Sequence, residues 1–137
     1  MKKGKKMERY KVILVDDEAE VIDMIEKKIH WNDLGFEVAG SATNGVKALE
    51  LVEKLQPDVV LTDIKMPYMD GLELSRRLNR EYPNIYIMLC TGFDEFEYAK
   101  EAVHLEIKEY MLKPVNATEL SESLTNLKHT LDREREE

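Results

Sequence analysis

Cysteine is nearly absent from this chain: Cys90 is its single example, so no internal disulfide can form and a cytoplasmic setting is the expectation. It lies in the apolar run Ile85 to Cys90, where core packing is expected rather than reactivity. Histidine is scarce too. His30, His104 and His129 are scattered over helical stretches as surface or helix-end residues, which excludes a histidine-based metal cluster. Positive charge is in deficit, with 20 Lys and Arg against 28 Asp and Glu, a net charge of −8 and a pI near 5.0. That argues against nucleic-acid binding by this segment, because a phosphate-binding surface needs a basic excess. No apolar run exceeds strand length, so no membrane span is expected. The basic start, Met1-Lys2-Lys3-Gly4-Lys5-Lys6-Met7, leads into polar residues instead of an apolar signal core. Residues 1–7 therefore read as a disordered solubilising tail.

What is present suits one soluble domain. The 137 residues are 43% hydrophobic and 35% charged, enough for one core and too few for two ordinary ones. Hydrophobic period alternates between strand and helix along the whole length. Strands are expected over Lys11 to Asp16, Phe36 to Ala42, Val59 to Asp63, Ile85 to Thr91 and Ile107 to Lys113. Helices are expected between and after them. The first carries Ile22, Ile25 and Ile29 over Ala19 to His30; the second carries Val46, Leu49, Val52 and Leu55 and stops before Pro57. The third opens at Asp70 with Glu73 at capping-box spacing, and the fourth spans Asp94 to His104. Asn116 caps the last, with Leu120, Leu124, Leu127 and Leu131 down one face. The charged residues 133–137 read as a tail or the start of a linker, with residues 8–132 as the domain. Such βαβ alternation on short links predicts a parallel sheet with helices on both faces.

In an open α/β sheet, ligands sit beyond the carboxyl ends of the strands. Those ends carry Asp16-Asp17-Glu18, Asp63, Thr91-Gly92 and Lys113-Pro114. If the first and third strands are neighbours, Asp16, Asp17 and Asp63 share one crevice. Clustered carboxylates repel by roughly a few kcal/mol per pair at an effective dielectric of about 20, and a cation relieves this. All the ligands on offer are hard oxygens, which favours Mg²⁺ over zinc. With Lys113 opposite, such a site suits a phosphoryl group, and Asp63 is placed to attack it. Taken singly, each residue has a plainer reading. Asp16-Asp17 is a helix cap, Asp63 a turn former, Thr91 a strand residue and Lys113 a solvated strand end. Their coincidence at successive strand ends is what points to chemistry.

Four segments in order carry a family likeness: Ile13-Leu14-Val15-Asp16-Asp17-Glu18, Asp63-Ile64-Lys65-Met66-Pro67-Tyr68-Met69-Asp70-Gly71, Cys90-Thr91-Gly92 and Tyr110-Met111-Leu112-Lys113-Pro114. Over residues 8 to 132 the chain resembles the receiver domain of two-component response regulators. The resemblance implies a flavodoxin-like fold, an α/β five-stranded parallel sheet of order 2-1-3-4-5 with five helices. It implies that Asp63 accepts a phosphoryl group from a sensor histidine kinase, with Mg²⁺ held by Asp16, Asp17, Asp63 and the backbone carbonyl of Lys65. Thr91 corresponds to the switch hydroxyl, Tyr110 to the switch aromatic and Lys113 to the phosphoryl-pairing lysine, followed by a cis peptide to Pro114. Trp31-Asn32-Asp33-Leu34-Gly35-Phe36 and Phe93-Asp94-Glu95-Phe96-Glu97-Tyr98-Ala99 resemble the subset with an AraC-type DNA-binding output domain. Packing at the end of the first helix is the plainer reading of Trp31 and Phe36.

The new charge is expected to be met by Mg²⁺, Lys113 and Thr91, with Tyr110 filling the space Thr91 leaves. Self-association as a homodimer, or docking, would follow on the face made by residues 94–104, the fifth strand and the last helix. Phe96, Lys100, Val103, His104 and Tyr110 are the candidate contributors. By the same resemblance, Lys65 and Phe93 correspond to the positions that flank the path of attacking water, and the bulk of Phe93 predicts slow dephosphorylation. DNA would be reached only through an output domain beyond this chain; a stand-alone adaptor is the alternative. A phosphatase using an aspartyl phosphate lacks its D-x-D strand end here, and a flavin or dinucleotide binder lacks G-x-G-x-x-G after the first strand. A receiver promotes its own phosphorylation and has no separate substrate, so it is not expected to be an enzyme.

Overall fold

The computed structural model describes residues 8–92 and 105–136. The expected tail over residues 1–7 and helix over 94–104, with Phe93, Phe96, Lys100, Val103 and His104, lie outside the described residues. In chain order the elements are β1 (Tyr10–Val15), α1 (Ala19–Lys28), α2 (Trp31–Leu34), β2 (Phe36–Ala42), α3 (Gly45–Leu55), β3 (Val59–Asp63), α4 (Gly71–Glu81), β4 (Tyr86–Thr91), β5 (Glu109–Leu112) and α5 (Ala117–Glu136). All strand pairs are parallel, and the order is β2-β1-β3-β4-β5. The alternation of periods predicts the parallel sheet, and its order is the flavodoxin-like one that the resemblance implies.

Alternating side chains of the strands supply the two cores. Tyr10, Val12 and Leu14 of β1 face α1 and α5, packing with Ile22, Ile25, Leu120, Leu124, Leu127 and Leu131. Ile13 and Val15 face the other way, against Ala48 and Val52 of α3 and Leu74 and Leu78 of α4. A sheet covered on both faces requires the unbroken apolar runs seen in β1 and β3. Leu124 is 1% exposed in the larger core. Leu124→Ala is expected to cost about 2–5 kcal/mol in denaturant unfolding, since the cavity left there is lined by a close-packed core.

Caps fix where the helices begin. Asp70 Oδ1 accepts from the Glu73 amide at 2.9 Å, and Asn116 Oδ1 accepts from the Glu119 amide at 2.9 Å, as their spacing predicts. Asn44 caps α3 in the same way through the Lys47 amide. Three sequence expectations shift. Val46 is 45% exposed, because the buried stripe of α3 runs through Gly45, Ala48 and Val52 instead. The first helix stops at Lys28, so His30 lies at the bend before α2 and not on a helix. β5 begins only at Glu109, while Ile107 packs on the core from a loop.

The turn α2 is held by neighbours. Trp31 Nε1 donates to the Glu26 carbonyl at 3.1 Å, satisfying one of the acceptors left open at the end of α1. Gly35 then ends α2 at φ 92°, a left-handed position that favours glycine. Phe36 follows, fully buried, with its ring centroid 5.8 Å from that of Tyr10.

Candidate functional site

Parallel register assembles the acid site. Val15 pairs with Thr62 and Asp63 with Cys90, so Asp16 emerges beside Asp63 at the carboxyl edge. Thr91 pairs with Leu112, which brings Lys113 up one residue later. Oxygens of Asp16, Asp17 and Asp63 all lie within 4.8 Å of one another. Asp16 and Asp63 are buried, at 4% and 5% exposure, whereas Asp17 is exposed. Lys113 Nζ bridges the buried pair, 3.1 Å from Asp16 Oδ2 and 3.1 Å from Asp63 Oδ1.

Each carboxylate is oriented by backbone. Asp16 Oδ1 accepts from the Glu18 amide at 2.9 Å, a local turn that leaves α1 without a side-chain cap. Capping is therefore not what Asp16 and Asp17 do. Asp63 Oδ1 accepts from the Ile64 amide at 2.9 Å as well as meeting Lys113. Oδ2 of Asp63 has no donor among the described residues, and no buried polar side-chain atom there is left unpartnered. That oxygen accordingly keeps some contact with solvent.

Charge at the site is unbalanced. Burial, then the charge of Asp16, pushes Asp63 up from 3.8 to about 6, against the pull of Lys113 and the Ile64 amide. At Lys113 burial works against the ammonium, but its bonds to Asp16 and Asp63 prevail and its pKa is raised. One lysine thus serves two buried acids with a third nearby. The donor set fits a small hard cation: three carboxylates within reach of one another and no nitrogen or sulfur ligand among them.

The remaining expected residues are placed as follows. Thr91 is fully buried, with its hydroxyl on the Gly92 carbonyl at 3.1 Å; its own carbonyl accepts from the Lys113 amide at 2.8 Å. Tyr110, on β5, is 36% exposed. Lys65 is exposed in the loop after β3. The Lys113-Pro114 peptide is cis, as the resemblance implies. Cys90 is buried beneath the acids, and burial pushes its thiol up to about 12, so packing is its role. Sequence reasoning missed the part of Gly71, whose amide donates to the Ile64 carbonyl at 2.7 Å and seats α4 against the end of β3. Its signal is the Asp-Gly step after the turn, which in the sequence marks a cap and a family-matching segment but not this packing.

A family model described as "Response regulator receiver domain" matches residues 12–125. The chain belongs to this family. The receiver is 42% identical over 125 residues to the transcriptional regulatory protein YesN of Bacillus subtilis, covering 91% of this chain and 34% of that protein. It is 34% identical over 122 residues to the transcriptional regulatory protein HptR of Staphylococcus aureus, covering 89% of this chain and 48% of HptR. The chain thus spans only about a third to a half of these curated relatives. Among solved structures, the receiver domain of AraT, a response regulator from Geobacillus stearothermophilus, superposes with a TM-score of 0.88 at 39% identity, covering 92% of this chain and 98% of that one. A two-component transcriptional regulator AraC from Clostridium phytofermentans gives 0.85 at 30% identity, covering 93% and 99%. Among the described residues no helix is long and apolar enough to cross a membrane.

Proposed function

We propose that this receiver is a phosphoryl-accepting switch whose acceptor is Asp63. The carrying observation is a buried carboxylate with one oxygen engaged by Ile64 and Lys113 and the other without a donor among the described residues. Asp63 Oδ2 forms the new bond to phosphorus, the P–N bond of a kinase phosphohistidine breaks, and the imidazole nitrogen keeps the electron pair and takes a proton from water. Lys113 lies close enough to Oδ1 to pair with the incoming phosphoryl oxygens. Asp16, Asp17, Asp63 and the carbonyl of Lys65 would hold Mg²⁺, which supplies positive charge to the clustered acids and the phosphoryl oxygens.

The output follows from where the charge goes. In the present arrangement the Thr91 hydroxyl is spent on the Gly92 carbonyl. Turning it toward a phosphoryl group would vacate space for Tyr110, which is half-exposed on β5. Docking or dimerisation through the face that includes β5 and α5 would then change. We take the receiver as residues 8–132, in the cytoplasm, with residues 133–137 as a charged tail or the start of a linker. Its similarity to transcriptional regulators supports control of transcription as the task. It has no substrate apart from its phosphodonor.

Incubation with acetyl phosphate and Mg²⁺ should add one phosphoryl mass to the intact protein. Asp63→Asn should abolish that gain, and chelation of the metal should suppress it. Labelling that survives Asp63→Asn would place the acceptor elsewhere and end this reading.

A further inference from the structure

The three strands that present Asp16, Asp63 and Thr91 at their carboxyl ends are gripped at their amino ends by the last helix. Tyr10 opens β1, Asp58 immediately precedes β3, and Tyr86 opens β4. Tyr10 donates its hydroxyl to Asp132 Oδ1 at 2.5 Å, and Tyr86 donates to Glu134 Oε2 at 2.5 Å. Arg135 Nη2 meets Asp58 Oδ1 at 3.0 Å, and its guanidinium carbon lies 4.7 Å from the centre of the Tyr10 ring. The other oxygen of Asp58 accepts from the Lys11 amide at 2.8 Å, so one carboxylate ties β1, β3 and the helix together. Lys128 donates to Asp132 at 2.8 Å from one turn earlier.

These contacts fall where the helix has lost its apolar support. Leu131 is the last buried residue of α5, yet the helix continues to Glu136. A helix end without packing frays, because its final carbonyls have no partners within the helix. Single exposed ion pairs contribute about 0–1 kcal/mol. Here they converge on Tyr10, which is only 7% exposed and packs at a tilt against Phe36.

We propose that Tyr10, Asp58 and Tyr86 form a clasp that fixes the direction in which α5 leaves the sheet, making its last turns a rigid strut for any chain carried beyond them. The clasp stays set at neutral pH. Burial and Asp132 push the Tyr10 phenol up to about 12, and Glu134 and burial do the same to Tyr86, so both remain donors. Asp132 is held below the usual carboxylate range by Lys128 and Tyr10 and remains an acceptor.

Hydrogen exchange read by mass spectrometry on the whole chain tests this. A Tyr10→Phe/Tyr86→Phe double variant removes two donors and keeps both rings, and Arg135→Gln removes the third tie from an exposed position. Exchange over residues 128–136 should quicken by about tenfold in the double variant and by less in Arg135→Gln. The amides of β1, β3 and β4 should be unaffected. Unchanged exchange over 128–136 in both variants would overturn the clasp. So would uniform acceleration across the protein, because the contacts would then support the domain as a whole and not its last turns.

Discussion

Asp63→Asn should make the metal-free protein more stable at pH 8, by about 1–3 kcal/mol. The wild-type carboxylate is pushed from 3.8 to about 6 by burial and by Asp16. An acid whose folded pKa lies above its unfolded one binds protons more tightly in the native state. Stability therefore falls as pH rises from about 4 to about 6, and the cost stays in place above that window. A rise from 3.8 to about 6 corresponds to roughly 3 kcal/mol, which is an upper figure because Lys113 relaxes toward whichever acid remains. Asparagine keeps the shape, still accepts from the Ile64 amide, and removes the charge. Thermal unfolding in chelator at pH 8 should show the variant melting several degrees higher. The advantage should shrink below pH 6 and be mostly gone by pH 4, disappearing only below the unfolded value of 3.8, where Asp63 is protonated in both states. Adding Mg²⁺ should narrow the gap from the other side, since a ligand that binds only the folded wild type stabilises it. Equal melting at pH 8, or an advantage that persists unchanged at pH 4, would show that Asp63 bears no such burden.

Legibility in the sequence tracked how local the signal was. Val59–Asp63 was placed to the residue because a β-branched run meets a Pro/Gly turn, and Asp70 and Asn116 were found as caps from a spacing of three. The acid cluster was legible for a different reason. A parallel register delivers neighbouring strand ends to one edge, so residues far apart in sequence meet wherever the strand order makes them neighbours. Contacts that cross the molecule without periodicity were not legible. The one-turn helix Trp31–Leu34 is too short to show a period, although Gly35 just beyond it was a usable stop signal. Arg135 reads as a tail charge, and nothing local marks Asp132 and Arg135 as partners of Tyr10 and Asp58, which lie 122 and 77 residues away. The phase of α3 was misjudged at Val46 because the first turn of a helix has too few residues to fix which side is buried.

Gly71→Ala should be the most damaging small substitution near the site. A Cβ on Gly71 would stand 2.2 Å from the Asp63 carbonyl oxygen and 2.9 Å from the Ile64 Cα, both of them backbone atoms. Nothing there can swing aside as a side chain end would. Either the end of β3 moves or the start of α4 does, and α4 is fixed by the Asp70 cap and by the Gly71 amide on the Ile64 carbonyl. Ser75 adds a further tie, its hydroxyl donating to the Gly71 carbonyl at 2.7 Å. Overpacking that side chains can absorb costs about 1–3 kcal/mol, so a backbone-on-methyl clash should exceed about 3 kcal/mol. Because Asp63 is the residue displaced, phosphoryl acceptance should fall by at least about tenfold, since a misplacement of about 1 Å near reacting atoms can cost a hundredfold. Gly40→Ala is the matched control. Its Cβ would meet the Leu55 Cδ1 at 3.2 Å, a side chain able to yield, and should cost less than about 1 kcal/mol with labelling intact. Thermal unfolding and the rate of labelling by acetyl phosphate separate the two effects. If Gly71→Ala lowers stability while labelling keeps its wild-type rate, the carboxylate is positioned by Ile64 and Lys113 alone and the seat of α4 against β3 has no part in it.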